Sequence, residues 1–347
     1  MKNFKIGNIE IGKDCKPFVI AEMSGNHNQS IERALALVDA AAASGAHALK
    51  LQTYTADTIT MKGAYTINDA NSLWNGKELH DLYKLAYTPW EWHKAIFDRA
   101  IEKGMLAFSS PFDETAVDFL ETLNVPAYKI ASFENTHLPL IRKVAKTGKP
   151  VIISTGVATI TDIDTAVRTL REEGCEKFIL LKCTSTYPAN PENTNLRTIP
   201  HLADLYNCLV GLSDHTMGLG ASVAAVALGA CVIEKHFTLN RADGGVDAAF
   251  SLEPDELKNL VIETERAFLA MGKIQYGVQE SEKKSLMFKR SIFVSENIKP
   301  GEIFTSKNIK VIRPGFGLEP YFYERLLGRV CTKSLEAGKP LRIDDII

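Results

Sequence analysis

The sequence has no C-x-x-C pair, no G-x-G-x-x-G run and no surplus of basic residues, and each absence removes a class of function. Six cysteines scattered over 347 residues (Cys15, Cys175, Cys183, Cys208, Cys231 and Cys331) are no disulfide framework. Placed mostly within apolar runs, they read as reduced, buried thiols in a cytoplasm. Forty Lys and Arg against 42 Asp and Glu give a formal charge of -2, whereas a duplex binder usually shows a basic excess. Aromatics, at 8%, are too sparse and too spread out to build a base-stacking platform. The longest apolar stretch, Gly218 to Ile233, is broken by glycines and is shorter than the ~20 residues of a membrane-spanning helix. At the start, Met1 to Gly7 is followed by Glu10, Lys13 and Asp14 before any apolar run develops, unlike a signal peptide. A soluble cytoplasmic protein with neither nucleic acid nor membrane as partner is expected.

What the chain does have is alternation. Eight short apolar runs read as strands: Phe18–Ala21, Ala48–Leu51, Met105–Phe108, Ala127–Ile130, Val151–Ile153, Phe178–Leu181, Leu209–Leu212 and Val232–Glu234. Amphipathic helical patterns lie between them. Ile31, Leu35 and Val38 follow Ser30 at i, i+4, i+7, and Ile163, Ala166, Val167 and Leu170 repeat at i, i+3, i+4, i+7. Thr161-x-x-Asp164 is expected to cap the second of these as a capping box, with Gly174 as its stop. Eight strand–helix units of this length predict an α/β fold, a closed (β/α)8 barrel. The rival is an open doubly wound sheet, whose Gly-rich first turn is missing: the first strand runs into Glu22-Met23-Ser24-Gly25-Asn26-His27.

Beyond Gln279 the pattern changes to short strands and turns. Ile298-Lys299-Pro300-Gly301-Glu302-Ile303-Phe304 is echoed by Leu335-Glu336-Ala337-Gly338-Lys339-Pro340-Leu341, which suggests a small pseudo-symmetric β domain. The expected division is residues 1–279 as barrel, 280–287 as linker and 288–347 as the β-rich tail.

In such barrels the C-terminal strand ends face the active site. Here they carry Glu22; Lys50 and Gln52; Ser109 and Ser110; Lys129 and Ser132; Ser154 and Thr155; Lys182, Thr184 and Ser185; Ser213, Asp214 and His215; and Glu234, Lys235 and His236. A single serine there is most simply a wet rim residue. Lysines, hydroxyls and histidines converging on one mouth describe an anion site, because a buried charge needs a partner. Lys50 and Lys129, with Ser132, Ser154 and Ser213, suit a phosphate plus a carboxylate. The glycines of Thr216-Met217-Gly218-Leu219-Gly220 either bring a helix N-terminus to an anion or ease packing. His215 and His236 end neighbouring strands and are read as a two-histidine metal site, with Asp214 or Glu234 near enough to join or orient it.

The motifs Ile20-Ala21-Glu22-x-x-x-Asn26-His27, Lys50-Leu51-Gln52-Thr53, Ser110-Pro111-Phe112-Asp113 and Tyr128-Lys129-Ile130-x-Ser132 resemble the sialic acid synthase family. So do Cys183-x-x-x-Tyr187-Pro188, Gly211-Leu212-Ser213-Asp214-His215 and Glu234-Lys235-His236. Arg290-Ser291-Ile292 and Arg313-Pro314-Gly315 in the tail resemble that family's antifreeze-like (SAF) domain, so the resemblance spans nearly the whole chain. Ala131-Ser132-Phe133-Glu134 and the loop Gly245–Leu252 depart from the N-acetylneuraminate-making members. With Ser72-Leu73-Trp74 and Thr88-Pro89-Trp90-Glu91-Trp92-His93, they are similar to the pseudaminic acid-making branch.

The resemblance implies a transferase that condenses phosphoenolpyruvate with 2,4-diacetamido-2,4,6-trideoxy-L-altrose by carbon–oxygen cleavage. It implies that Lys50, Ser110, Lys129, Ser132, Ser154, Ser185 and Ser213 hold phosphoenolpyruvate; Ser185 stands where the family often has asparagine. Tyr187, Glu234, Asp247 and the loop from Asn71 to Asn75 would hold the sugar, and Gln52 is a further substrate-binding candidate. His215 and His236 would bind Mn2+ or Mg2+, with Co2+ as another candidate. Glu22 is the candidate base, or simply an anchor of the first loop, and Glu234 and Tyr187 complete the catalytic candidates. Arg313 would reach the partner's barrel in a domain-swapped homodimer. The alternatives are an N-acetylneuraminate or legionaminate synthase, a Schiff-base aldolase using Lys129 or Lys182, and a carbohydrate-binding module suggested by the tail.

Overall fold

The computed structural model describes residues 2–70 and 74–346. An antiparallel hairpin, β1 (Phe4–Ile6) and β2 (Ile9–Ile11), opens the chain. Its Gly7, at φ +57, lies against the Leu106 side chain. Eight parallel strands follow: β3 (Phe18–Glu22), β4 (Ala48–Thr53), β5 (Leu106–Pro111), β6 (Tyr128–Ile130), β7 (Val151–Ser154), β8 (Phe178–Cys183), β9 (Leu209–Asp214) and β10 (Val232–His236). They close in sequence order, with β10 pairing back onto β3 through Val232↔Phe18 to His236↔Glu22. Each of the eight apolar runs forms one of these strands. Helices cover the outside, so the strands are buried on both faces and read as unbroken apolar segments.

The helices follow their periodicity. Ile31–Ala43 starts at Ser30, whose side chain accepts from the Arg33 N–H, and buries Ala34, Leu37, Val38 and Ala41. The helix Ile160–Glu172 buries Ile163, Ala166, Val167 and Leu170 as expected, but its cap is corrected. The capping box is Thr159 with Asp162, two residues before the Thr161–Asp164 pair, because Thr159 is extended (φ -78, ψ 166) and Thr161 already lies inside the helix. The starting point moves without changing the buried face.

The chain divides into two compact units, Met1–Gly272 and Lys273–Ile347. In the second, residues 280–288 wind a 3-10 helix. Strands β11 (Ser291–Val294) and β12 (Ile309–Ile312) pair antiparallel. The sequence repeat is realised in this unit: Ile298 and Leu335, equivalent positions of the two copies, exchange backbone hydrogen bonds of 2.9 Å. Phe304 and Leu341, likewise equivalent, are both buried in a core with Ile292, Val294, Ile309 and Leu326. Among the described residues no helix is long and apolar enough to cross a membrane.

Candidate active site

Strand pleating decides which residues enter the barrel mouth. From β3, β4, β6 and β10, Glu22, Lys50, Lys129 and Glu234 point inward and meet as two buried carboxylates and two buried ammonium groups. Lys50 is ion-paired with Glu22, its Nζ lies 3.8 Å from Glu234 Oε2, and it donates to Ser110 Oγ at 3.2 Å. Lys129 Nζ lies 3.5 Å from Glu234 Oε1, which also accepts from Ser213 Oγ at 3.0 Å.

The formal charges cancel, but the environment separates the two acids. Burial opposes the Glu234 charge, yet Lys129, Lys50 and the Ser213 hydroxyl outweigh it and hold its pKa below the usual range. Burial raises the Glu22 pKa, and Lys50 offsets this only in part. Burial also lowers the Lys129 pKa, against the pull of Glu234. Glu234 is therefore the fixed counter-charge and Glu22 the better proton acceptor.

Beside this cluster, β7 ends in Ser154, whose buried Oγ has no hydrogen-bond partner among the described residues. Ser132 Oγ accepts from the Gly156 N–H at 3.2 Å, and a Cβ at Gly156 would collide with the Ser132 and Ser185 hydroxyls. The glycine leaves room for two serines contributed by different loops. Gly218 (φ +75) serves the turn into the helix Gly220–Ala227.

His215 and His236 come together with ring centroids 5.3 Å apart. His215 Nδ1 lies 3.0 Å from the Thr184 carbonyl oxygen, which can only accept. Nδ1 therefore carries a proton; burial lowers the His215 pKa, but Cys183 and the Thr184 carbonyl outweigh it and raise the value, so Nε2 offers a lone pair once the ring gives up its second proton. Burial and His215 push the His236 pKa well down, so that ring is neutral. His236 Nδ1 is buried without a hydrogen-bond partner among the described residues, 3.9 Å from Asp247 Oδ2. These uncommitted imidazole nitrogens fit a divalent cation. Among the described residues no group of three or more His, Cys, Asp and Glu is placed to hold a metal. Asp214 does not join it, being turned outward to Lys235.

Tyr187 packs over His215, with centroids 4.5 Å apart, and burial raises its pKa. It also lines a cavity of about 490 Å³ together with Gln52, Ser132, His236 and Asp247. Part of its lining is apolar, with Ile59, Ile67 and Leu82, and Tyr54 and Tyr83 add phenol rings. Asp247 accepts from Ser24, a residue held at φ 47, and burial raises the Asp247 pKa.

Glu134 and Trp74 reach the cavity from outside the strand-end pattern. Glu134, in the turn after β6, has its pKa raised by burial to about 7 and a buried Oε2 with no hydrogen-bond partner among the described residues. Trp74 lines the cavity and donates from Nε1 to the Val246 carbonyl at 3.2 Å, bridging loops far apart in sequence. Of the expected sugar loop, Trp74 lines the cavity, Asn71 lies outside the described residues, and Asn75 is exposed and not among the residues that line the cavity. Arg313 belongs to the second unit and follows β12.

The chain has relatives among known proteins over nearly its whole length. The NeuB family matches residues 37–276, and the SAF domain matches residues 289–347. A pseudaminic acid synthase of Campylobacter jejuni is 44% identical over 344 residues, covering 98% of this chain and 99% of that protein. A pseudaminic acid synthase of Helicobacter pylori is 41% identical over 334 residues, covering 95% and 98%. The crystal structure of an N-acetylneuraminic acid synthetase from Leptospira borgpetersenii in complex with citrate superposes with a TM-score of 0.74 at 34% identity, over 82% of this chain and 95% of that one.

Proposed function

The chain belongs to the NeuB family, and on that premise we propose that it condenses phosphoenolpyruvate with 2,4-diacetamido-2,4,6-trideoxy-L-altrose, giving pseudaminic acid and inorganic phosphate. One observation carries the reading: a buried, charge-balanced Lys50–Glu22 and Lys129–Glu234 cluster opening beside two converging imidazoles. Such a cluster waits for an anion. A phosphate and a carboxylate take over the lysine charges while the serine hydroxyls donate to their oxygens. Lys50, Lys129, Ser110, Ser132, Ser154, Ser185 and Ser213 make up this set.

Tyr187, Gln52 and Asp247 hold the sugar against the apolar part of the lining, and a C6 methyl suits that part better than a hydroxyl does. His215 and His236 would hold Mn2+ or Mg2+, with Co2+ also accepted, and such an ion when bound polarises the aldehyde oxygen of the open-chain sugar. C3 of the enol ester bonds to the aldehyde carbon, and the aldehyde oxygen, left as an alkoxide, takes up a proton from solvent to become a hydroxyl. Cationic character then develops at C2, where ionised Glu234 lies ready to offset it. Water adds at C2 and gives its proton to Glu22. The tetrahedral intermediate breaks its carbon–oxygen bond, and phosphate departs with the former bridging oxygen. Arg313 is proposed to act in the partner's barrel of a domain-swapped homodimer, an assembly that sedimentation of the intact protein tests. A cytoplasmic location is part of the proposal.

Phosphate release tests the substrate. Purified protein with phosphoenolpyruvate and Mn2+ should release phosphate at least about tenfold faster with the trideoxy diacetamido altrose than with N-acetylmannosamine or the legionaminate precursor, a margin of the size a single methyl contact provides. Preference for N-acetylmannosamine would overturn the sugar assignment and keep the chemistry.

A further inference from the structure

Strand alternation that sends Ser213, Glu234 and His236 inward sends Asp214 and Lys235 outward, into the layer between barrel and helices. These two are register partners on β9 and β10, and their side chains are 0% and 1% exposed. Lys235 Nζ lies 2.9 Å from Asp214 Oδ2 and donates to the Thr216 carbonyl at 2.5 Å. Asp214 Oδ1 accepts from both the N–H and the hydroxyl of Thr216, each at 2.8 Å, and Oδ2 accepts from Ser222 Oγ at 2.7 Å.

His215 is therefore enclosed. The residue before it is one member of the pair, and the residue after it has every polar group held by the pair. The His215 carbonyl accepts from the Ala189 N–H at 2.9 Å. On the other strand, Lys235 is the direct neighbour of His236. Neither Asp214 nor Lys235 lines the substrate cavity. Stability alone is a poor reason for such an arrangement, since apolar replacements of a buried ion pair are often neutral or stabilising.

We infer that Asp214 and Lys235 are positioning residues: their buried pair fixes the rung between β9 and β10, and so aims His215 and His236 at one divalent cation. The inference rests on the proposed function only in assigning the cation to these two histidines. A pair that served packing alone could be replaced by apolar side chains without consequence for the ion. A pair that sets ring placement could not.

The test compares the full-length wild type with the double variant Asp214→Leu/Lys235→Met. Thermal melting reads the fold, and electron paramagnetic resonance of free Mn2+ reads the dissociation constant. Steady-state kinetics read kcat and the KM for phosphoenolpyruvate. The expected double variant melts within a few degrees of wild type and binds Mn2+ about 10- to 100-fold more weakly, the usual loss when support behind a metal ligand is removed. Its KM for phosphoenolpyruvate stays within about threefold of wild type, and excess Mn2+ restores most of kcat, as expected if only ion affinity is lost. Unchanged Mn2+ affinity in a folded double variant overturns the inference. Should the double variant not fold, Ser222→Ala, which removes one donor to Asp214, decides by the same criterion: several-fold weaker Mn2+ binding sustains the clamp, and wild-type binding rejects it. A wild type that binds no Mn2+ contradicts the two-histidine site itself, an outcome distinct from a clamp without effect.

Discussion

Replacing Lys129 with methionine is expected to lower kcat/KM for phosphoenolpyruvate by about 10³-fold and to destabilise the barrel at the same time. The ammonium group lies 3.5 Å from Glu234 Oε1, both side chains are buried, and Lys50 Nζ lies 3.8 Å from the other oxygen of that carboxylate. Removing one partner of a buried ion pair costs about 3–5 kcal/mol, because the survivor is left uncompensated. If the substrate anion relies on the same ammonium, a loss of that size is about two to four decades in rate. The melting temperature should fall by about 10 °C, taking roughly 2–4 °C per kcal/mol for a domain of this size. Glu234→Gln in the same chain should return most of the melting temperature and none of the activity. Kinetics and calorimetry on the two variants separate these effects. Wild-type KM in Lys129→Met would remove Lys129 from the anion site.

His236→Ala is the second large effect. Its ring has a buried Nδ1 without a hydrogen-bond partner among the described residues, so truncation removes an unsatisfied polar atom as well as packing against Phe250 at 5.0 Å. Those contributions oppose one another, and the melting temperature should change by only a few degrees. Activity should fall by at least about 10³-fold, since polarisation of the aldehyde is worth several kcal/mol. Wild type stripped with a chelator should lose activity and regain it when Mn2+ is added, whereas His236→Ala should not recover. A stripped wild type that keeps full activity would contradict the metal assignment.

The barrel was legible because parallel strands covered by helices are apolar on both faces, so Val151-Ile152-Ile153 or Phe178-Ile179-Leu180-Leu181 announces itself without alternation. Strand ends were equally readable, and Lys50, Lys129, Ser213 and Glu234 do meet. The helix start at Thr159 was not, because Thr159-x-x-Asp162 and Thr161-x-x-Asp164 overlap and local chemistry cannot rank them. Asp214 and Lys235 sit among candidate site residues in sequence, but their period-2 position turns them away from the mouth. Trp74 enters the cavity from a loop and meets the Val246 carbonyl across 172 residues, a contact that no local pattern encodes. Glu134 offered a weak sign, an acidic residue in the turn after the strand that carries Lys129.

The central claim is a condensation in which phosphoenolpyruvate loses phosphate by carbon–oxygen cleavage. Its most direct test is turnover in water enriched in oxygen-18, with mass analysis of the phosphate released. Unlabelled phosphate is the predicted result, since the bridging oxygen leaves with phosphorus and water enters at C2. Phosphate carrying one solvent oxygen would place the break at phosphorus and contradict the roles given to Glu22 and Glu234.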